Sequence, residues 1–586
     1  MHLHWLALVP SLALALALPA TQLRLSSSSN QLPRAHPRLR LPPAEATLHH
    51  AGFRPAPLEN LQVHHPPLLP NPNRARRCTL LLLEHSFAFS YYEPAVVTFE
   101  PPLDCGPPGT WSSIVLNLTV TSNGTQFDRL ASISLVWRTS TAEPTLDGIV
   151  WTYEKDVTRF SPLFAKTSQL MFQLDNVITD KYTGVFATKL SATFYEATPD
   201  SPPASTADLI LPLTTRSNTS SQMLVYPGPA SVETVLPINT AQAWLDVIAT
   251  GAADEEFWYG NVLERWVDYF PEAGLIGRGP LREVQVRIDG QLVGFVYPFP
   301  VIYTGGANPL LWRPLASLRA FDIPSAFIDV SPALPWLSDG QPHVFSFSVL
   351  GQGDEGSIND NWFITGALHL VLDPSDPPIR TTGRLLSYDV SPAPLILSAG
   401  FPSSDGASLR TVVSAQRTLE IRAELLTGEG RKVVQVAHEV AFDNEQRFDD
   451  NGTYQSVSQS TSSLYTSTHD GHLLLRDVSS FPLCLTTNYT LLASSHHFSA
   501  DVPAYGYDRA LSVPPALGGV EGAAHVTKSA QRGEAEITGR EGQRSTGWGT
   551  MEERYTFVGD RGETYEERVR AENSTIVERT RKGSLA

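Results

Sequence analysis

Most of the chain alternates apolar and polar side chains with a period of two, the pattern of a strand that buries one face. Turn sequences such as Asn123-Gly124 and Asp147-Gly148 separate these segments. Short strands at this spacing predict an antiparallel sandwich over residues 79–195. The apolar faces of three of its segments are Ala131, Ile133, Leu135 and Trp137; Leu170, Phe172 and Leu174; and Phe186, Thr188, Leu190, Ala192 and Phe194.

Two further blocks repeat this alternation. One spans about 241–373 and contains a strand pair around an Asp289-Gly290 turn. The other, 380–586, has strand-like runs such as 411–425 among Ser-rich and charged stretches, and it ends in a polar tail. The whole pattern predicts an all-β protein with a C-terminal β-rich extension.

Composition sets the boundaries between the blocks. Stretches before and after the first block are rich in Pro and Ser without periodic apolar positions, which is typical of disordered leaders and linkers. The predicted division is a signal peptide at 1–20, a disordered leader at 21–77, a first domain at 78–198, a linker at 199–230, a second domain at 231–375 and the extension at 376–586.

The N-terminus predicts entry into the secretory pathway. Residues 5–20 are nearly all apolar and end in small residues, and they are too short for a comfortable membrane span. No later segment reaches 18 apolar residues, so we expect a secreted or lumenal protein without a membrane span. An oxidising lumen would let Cys78 and Cys105 pair across a short loop and would leave Cys484 over. The predicted N-glycosylation sites are Asn117, Asn123, Asn218, Asn451, Asn488 and Asn573.

Charge and metal-ligating residues exclude other classes of protein. The chain has 60 acidic and 43 basic residues, a net charge of −17, which disfavours binding to nucleic acid. It has no Cys-x-x-Cys pair, and its 16 His residues show no metal-ligand spacing. We therefore expect neither a metal nor a cofactor.

Several runs are unusual enough to be recognised: QFDRL at 126–130, RTSTAEPT at 138–145, KDVTRF at 155–160, DEEFWY at 254–259, VGFVYPFPVIYTGGANPLLWRP at 293–314 and FDIPS at 321–325. In this order they resemble the peptide-N4-(N-acetyl-β-glucosaminyl)asparagine amidase A family of plants and fungi, over about residues 78–373. Asp128-Arg129 and the later Asp-Val-Thr run also resemble the bacterial PNGase F type, which has two side-by-side antiparallel jelly rolls. The resemblance implies that both β blocks are adjacent jelly-roll sandwiches with the active site in the cleft between them.

The implied activity is hydrolysis of the amide between an asparagine side chain and the first N-acetylglucosamine of an N-glycan. The peptide asparagine becomes aspartate, and the glycan leaves as a glycosylamine. Implied substrates are N-glycosylated peptides or unfolded glycoproteins, and a two-chain form made by proteolytic cleavage is a further expectation. The alternatives are a lectin-like jelly roll without catalysis and a glycosidase that cuts between the two core sugars.

Carboxyl groups are the implied catalytic residues, because one must deprotonate water and another must protonate the leaving nitrogen. Asp128 matches the principal catalytic aspartate of the bacterial type. Glu256 matches a second carboxylate, but Phe257 separates it from the expected tryptophan, so Glu255 remains a rival. Asp175 stands where the related patterns have glutamate. Together with the acidic charge, these carboxylates favour an acidic pH optimum.

The resemblance also implies residues that bind the substrate. Arg313 is the candidate for an arginine that holds a carboxylate or a substrate carbonyl, with Arg129 as the alternative. Glu143 precedes a proline in a turn and Asp156 can cap a segment, so neither is counted as catalytic. Exposed aromatic rings bind sugar faces, and the candidates are Trp258, Tyr259, Trp312 and Trp362.

Overall fold

The computed structural model describes residues 56–70, 74–134, 136–214, 223–492, 495–518, 524–540 and 545–586. Strands dominate these residues, and the α-helices are two single turns, α1 (Ser161–Phe164) and α2 (Leu334–Leu337). The all-β prediction is confirmed. The predicted signal peptide, the leader up to residue 55, Leu135 and the sequon at Asn218 lie outside the described residues.

The first β block is a jelly roll. One sheet has the order β1-β7-β4-β9-β2 and the other has the order β3-β8-β5-β6. If β2 is counted as strand 1 and β9 as strand 8, the first sheet has the order 6-3-8-1 next to β1, and the second sheet has the order 2-7-4-5. These are the strand orders of a jelly roll. The strands are β1 (Leu58–Glu59), β2 (Arg77–Phe87), β3 (Ala95–Phe99), β4 (Ser113–Ser122), β5 (Leu130–Ile133), β6 (Trp137–Ser140), β7 (Ile149–Asp156), β8 (Ser168–Leu174) and β9 (Phe186–Tyr195).

The single strand predicted through Ala131 and Trp137 is wrong, because the chain turns back between them. Ile133 of β5 pairs with Trp137 of β6, and Ala131 pairs with Thr139. Residues that lie opposite each other in an antiparallel pair point to the same face. The alternation of apolar side chains therefore continues across a tight hairpin, and the sequence pattern does not reveal the turn.

The second β block repeats the jelly-roll order. Its sheets are β10-β18-β13-β16, with β11 also on β18, and β12-β17-β14-β15. The two sheets therefore have the same strand order as those of the first domain. The strands are β10 (Leu209–Leu213), β11 (Leu224–Tyr226), β12 (Ser231–Thr234), β13 (Thr240–Gly251), β14 (Glu283–Ile288), β15 (Gln291–Val296), β16 (Ala326–Asp329), β17 (His343–Leu350) and β18 (Trp362–Leu372).

Two predicted unstructured stretches contain ordered segments. The predicted linker 199–230 holds β10 and β11, which both pair with β18. In the predicted leader, β1 pairs with β7, and Val63 and Leu68 are buried in the core. These segments are short and lie among prolines, so they carry too few alternating positions to be recognised as strands.

The extension forms one antiparallel sheet of eleven strands, which we call the C-terminal sheet. Its order is β19-β21 and then consecutively to β29, with β20 also on β21. The predicted polar tail contributes the last strands of this sheet. The strands are β19 (Thr382–Val390), β20 (Leu395–Pro402), β21 (Leu409–Thr427), β22 (Gly430–Asp449), β23 (Tyr454–His469), β24 (His472–Leu492), β25 (Ser495–Ser512), β26 (Ala524–Arg540), β27 (Thr546–Gly559), β28 (Thr564–Glu572) and β29 (Thr575–Lys582).

One face of the C-terminal sheet packs on the second jelly roll. Along β22, Val434, Val436, Val440 and Phe442 are buried on that face. On β23, His469 contacts the Asp329 carboxylate at the end of β16, with 2.9 Å between Nε2 and Oδ2. The extension is therefore not a separate appendage, because its buried face completes the core beneath it.

Buried polar contacts join the two jelly rolls side by side. Arg138 of β6, only 1% exposed, donates to Thr250 Oγ1 at 3.1 Å and to the Phe363 carbonyl at 2.5 Å. Lys155 of β7 forms an ion pair with Asp322, which lies between β15 and β16. The Arg138 contacts fix the ends of β13 and β18 against the first domain, and the candidate site lies at this junction.

The cysteines behave as predicted, since a disulfide joins Cys78 to Cys105. Cys484 is a partly buried free cysteine on β24. Among the sequons within the described ranges, Asn117 lies on the outer face of β4, where it donates to Glu154. Asn123, Asn451 and Asn573 are exposed. In the part of the chain that the structure describes, no helix is long and apolar enough to span a membrane.

Candidate active site

Asp128 lies on the first jelly roll, two residues before β5, and its side chain is only partly accessible. The next residue, Arg129, donates to Gln126 Oε1 at 2.8 Å and to the Tyr91 hydroxyl at 3.3 Å, which fixes the loop that carries Asp128. Burial and the negative charge of Glu143 raise the pKa of Asp128 to about 7, although Arg129 opposes the shift.

Glu256 comes from the second jelly roll, directly after the 3₁₀ turn Ala253–Glu255 that follows β13. A Cβ atom at Gly251 would overlap the Glu255 carbonyl, so the chain can fold back here only at a glycine. Burial and the charge of Asp128 raise the pKa of Glu256 well above its ordinary value. The two carboxyl groups, predicted from distant parts of the sequence, therefore interact electrostatically across the domain junction.

Glu255, the rival to Glu256, is a structural anchor. Its fully buried carboxylate accepts hydrogen bonds from Arg282 at 2.5 and 2.7 Å, from Trp362 Nε1 at 2.7 Å and from the Asn359 backbone N–H at 2.8 Å. Although burial opposes ionisation, the Arg282 guanidinium lowers the pKa of Glu255. A carboxylate with its oxygens occupied in this way is a poor acid or base, which leaves Glu256 as the candidate.

Glu143 also belongs to the site, although its position before a proline predicted only a role in a turn. It accepts a hydrogen bond from Arg313 Nη2 at 2.9 Å, and its charge acts on Asp128. Arg313 thus holds a carboxylate of the protein, which is the first of its two predicted roles. The signal that could have identified Glu143 is its position within RTSTAEPT, one of the runs that carry the family resemblance.

Asp175 is connected to Asp128 and Glu256 only indirectly. Its carboxylate accepts hydrogen bonds from Gln173 Nε2 at 3.1 and 3.2 Å and from the Tyr92 N–H at 3.4 Å. Burial raises the pKa of Asp175, and the charge of Arg129 opposes that shift. The described interactions connect Asp175 to the site through Arg129 rather than directly to Asp128.

Tyr303 was not singled out from the sequence, although it lies in the recognised run at 293–314. The side chain is buried, and burial together with the charges of Glu256 and Asp128 raises the pKa of Tyr303. Its hydroxyl therefore stays protonated beside the two carboxyl groups. Such a group can donate a hydrogen bond to an oxygen that gains negative charge.

All four aromatic candidates are buried, but Trp258 and Trp362 line a cavity, whereas Tyr259 and Trp312 do not. Trp312 is fully buried and donates from Nε1 to the Gly306 carbonyl at 2.7 Å, so its expected role as an exposed sugar platform is wrong. Trp258, in contrast, lines a cavity of about 100 Å³ that also reaches Glu256. Other residues that line this cavity are Phe295, Phe299, Tyr303, Trp362 and Phe481. An aromatic wall beside a carboxyl group suits a sugar ring.

Within the described ranges, no cluster of three or more His, Cys, Asp or Glu side chains could hold a metal ion.

Comparison with known proteins identifies the family of this chain. Residues 66–390 match the family model for peptide N-acetyl-β-D-glucosaminyl asparaginase amidase A, and residues 410–483 match the model of the family's C-terminal domain. The chain belongs to this family. A relative from Prunus dulcis, named peptide-N4-(N-acetyl-β-glucosaminyl)asparagine amidase A, is 33% identical over 443 residues, which cover 71% of this chain and 75% of the relative.

Solved structures give a more distant similarity to this amidase A family member. A peptide-N(4)-(N-acetyl-β-D-glucosaminyl)asparagine amidase matches with a TM-score of 0.34 and 14% identity, covering 51% of this chain and 97% of the other. PNGF-II matches with a TM-score of 0.34 and 14% identity, covering 52% and 66%.

Proposed function

We propose that this protein hydrolyses the amide between an asparagine side chain and the first N-acetylglucosamine of an N-glycan. The products are a peptide aspartate and a glycosylamine. The observation that carries the proposal is the meeting of Asp128 and Glu256, whose pKa values are both raised, at the junction of two jelly rolls. The amidase name of the Prunus dulcis relative supports the same reaction.

The two carboxyl groups have different roles. The pKa of Asp128 is raised to about 7, so a large fraction is ionised at neutral pH and can deprotonate water. Burial and the charge of Asp128 raise the pKa of Glu256 well above its ordinary value, so this carboxyl group holds its proton to a higher pH than an exposed glutamate does. A protonated carboxyl group can give its proton to the leaving nitrogen. Each positioned acid or base of this kind contributes about 10²–10⁴-fold to the rate.

The remaining groups bind and orient the substrate. The Tyr303 hydroxyl stabilises the oxyanion that forms when water adds to the amide carbonyl. The cavity beside Glu256 takes the sugar ring, with Trp258 as part of its wall. Arg313 acts indirectly, since it holds Glu143 next to Asp128 and so maintains the raised pKa of the base.

The protein enters the secretory pathway through residues 1–20 and works in a secreted or lumenal setting. The Cys78–Cys105 disulfide supports this, because disulfides persist in oxidising compartments. The substrates are N-glycosylated peptides or unfolded glycoproteins, whose exposed asparagines can reach a partly buried site. The proposal also includes a two-chain form of the protein, made by proteolytic cleavage of the chain.

The test is to incubate the protein with a glycopeptide that carries one N-glycan and to measure the mass of the peptide product. Conversion to aspartate adds about one mass unit relative to the unglycosylated asparagine peptide. An intact glycopeptide that stays bound would favour the lectin-like alternative. A peptide that keeps one sugar would show cleavage between the two core sugars instead.

Replacing Glu143 with Gln is expected to move the pH–rate profile to lower pH. The charge of Glu143 raises the pKa of Asp128, so the neutral variant lowers this pKa. The acid limb of kcat/KM, which rises as Asp128 ionises, then shifts below its wild-type midpoint near pH 7. The measurement is kcat/KM from pH 4 to 9 for both proteins, and an unmoved acid limb would contradict the role given to Asp128.

A further inference from the structure

Glu256 is anchored on its N-terminal side by the second jelly roll itself. The residue before it, Glu255, is bound by Arg282, Trp362 and Asn359, as described above. On its C-terminal side the chain continues into the short 3₁₀ turn Trp258–Gly260, which we call the catalytic turn. A single turn of this kind has little stability of its own. The position of Glu256 therefore depends on what holds that turn.

Two side chains of the C-terminal sheet hold it. Asn444 Nδ2 donates to the Tyr259 carbonyl at 2.9 Å, and Gln446 Nε2 donates to the Asn261 carbonyl at 3.0 Å. Both side chains project from the inner face of β22, where other positions such as Phe442 and Phe448 are apolar. They reach across the boundary between the sheet and the second jelly roll.

Their burial makes these two amides unusual. Asn444 is 2% exposed and Gln446 is 1% exposed. Burying an amide is costly unless it is hydrogen-bonded, and apolar residues would fill the same strand face without that cost. Asn444 is further oriented by Gln459 Oε1, its partner on β23, at 2.9 Å. The pair is thus prearranged to hold two carbonyl groups just after Glu256.

The same face also holds the loop that carries Tyr303. The Tyr505 hydroxyl donates to the Pro300 carbonyl at 2.9 Å and accepts from the Ile302 N–H at 3.3 Å. Gly306 of this loop has no room for a Cβ atom, because Phe257 lies against it. The loop and the catalytic turn therefore pack together on one support, the C-terminal sheet.

We propose that Asn444 and Gln446 are positioning residues, through which the C-terminal sheet sets the place of Glu256 opposite Asp128. This inference rests on the proposed amidase function for its kinetic consequence. The C-terminal sheet then contributes to catalysis, because three parts of the chain position Asp128 and Glu256. These parts are the first jelly roll, the second jelly roll and the C-terminal sheet.

The test uses Asn444→Leu and Gln446→Met, which keep approximate size and remove the donor. A misplacement of a catalytic group by about 1 Å can cost about 10²-fold. We therefore expect kcat to fall roughly 10–100-fold with KM within about twofold. Gln446→Glu should recover much of the rate, because a buried carboxyl group stays protonated and can still donate to Asn261.

Gln455→Leu is the matched control. Gln455 is an equally buried amide on the same face, but it donates to the Gly452 carbonyl at 2.9 Å, away from the catalytic turn. It is expected to lower the unfolding temperature without changing kcat. Equal kcat losses in all three variants, without recovery in Gln446→Glu, would show general destabilisation and overturn the proposal.

Hydrogen–deuterium exchange separates this inference from the proposed function. Amides of residues 257–262 are expected to exchange faster in Asn444→Leu and Gln446→Met than in the wild type or in Gln455→Leu. Unchanged exchange in both variants would refute the anchoring, whatever the activity. A wild-type protein that releases no glycan would refute the amidase function and leave this structural result standing.

Discussion

Asp128→Asn is expected to abolish glycopeptide cleavage while the fold is retained. The amide cannot accept a proton from water, so the rate should fall at least about 10²–10⁴-fold, the usual contribution of a positioned base. The side chain is only partly buried, and an amide of the same size fits in its place. The measurement is kcat/KM on a single-site glycopeptide, with the unfolding temperature determined in parallel.

Asp175→Asn is the matched control for this prediction. The chemical change is the same, and Asp175 is likewise a partly buried carboxyl group near Arg129. Its contacts are Gln173 and the Tyr92 N–H rather than the catalytic pair, so the loss should be much smaller. Comparable losses in the two variants would contradict the assignment of Asp128 as the base.

Arg282→Met is expected to produce the largest loss of stability of any single change considered. Arg282 and Glu255 form an ion pair in which both side chains are fully buried. Removing the arginine leaves a buried carboxylate without its cation, which typically costs about 3–5 kcal/mol. Denaturant unfolding measures the change. Activity should fall too, because Glu255 precedes Glu256.

Arg410→Met provides the comparison for Arg282. Arg410 and Glu445 also form a two-bonded pair, with both distances at 2.7 Å, but Arg410 is 45% exposed. Exposed pairs contribute about 0–1 kcal/mol, so this variant should unfold almost like the wild type. A loss at Arg282 as small as that at Arg410 would contradict the structural role of Glu255.

The raised pKa values of the two carboxyl groups change the pH optimum that the sequence predicted. The acidic composition and the carboxylate chemistry favoured an acidic optimum. In the structure, burial and Glu143 raise the pKa of Asp128 to about 7, and the pKa of Glu256 is raised as well. The base is therefore ionised only from about neutral pH upward, which moves the expected optimum toward neutral pH.

Local alternation revealed much of the fold. On β4, Leu116 and Leu118 are buried while Asn117 faces outward, as the period of two predicts. The sequence did not reveal where one strand becomes two, as at Ile133 and Trp137, because paired residues of a hairpin share a face. The sequence pattern also did not predict β10 and β11, which form strands by pairing with β18.

The site was predictable as a set of residue types but not as a geometry. Glu255 and Glu256 are neighbours in sequence, and only the placement of Arg282 shows that one is an anchor and the other a candidate acid. Glu143 seemed to have a simple explanation in a turn until Arg313 placed it beside Asp128. These distinctions depend on contacts between distant segments, which no local pattern contains.

The central claim is that Asp128 and Glu256 direct water to the asparagine amide. The most direct measurement is cleavage of a glycopeptide in H₂¹⁸O, followed by mass analysis of the peptide and the released glycan. We predict an aspartate peptide that carries one ¹⁸O, about three mass units heavier than the asparagine peptide. An unlabelled asparagine peptide with ¹⁸O in the sugar would show attack at the sugar carbon and would contradict the account.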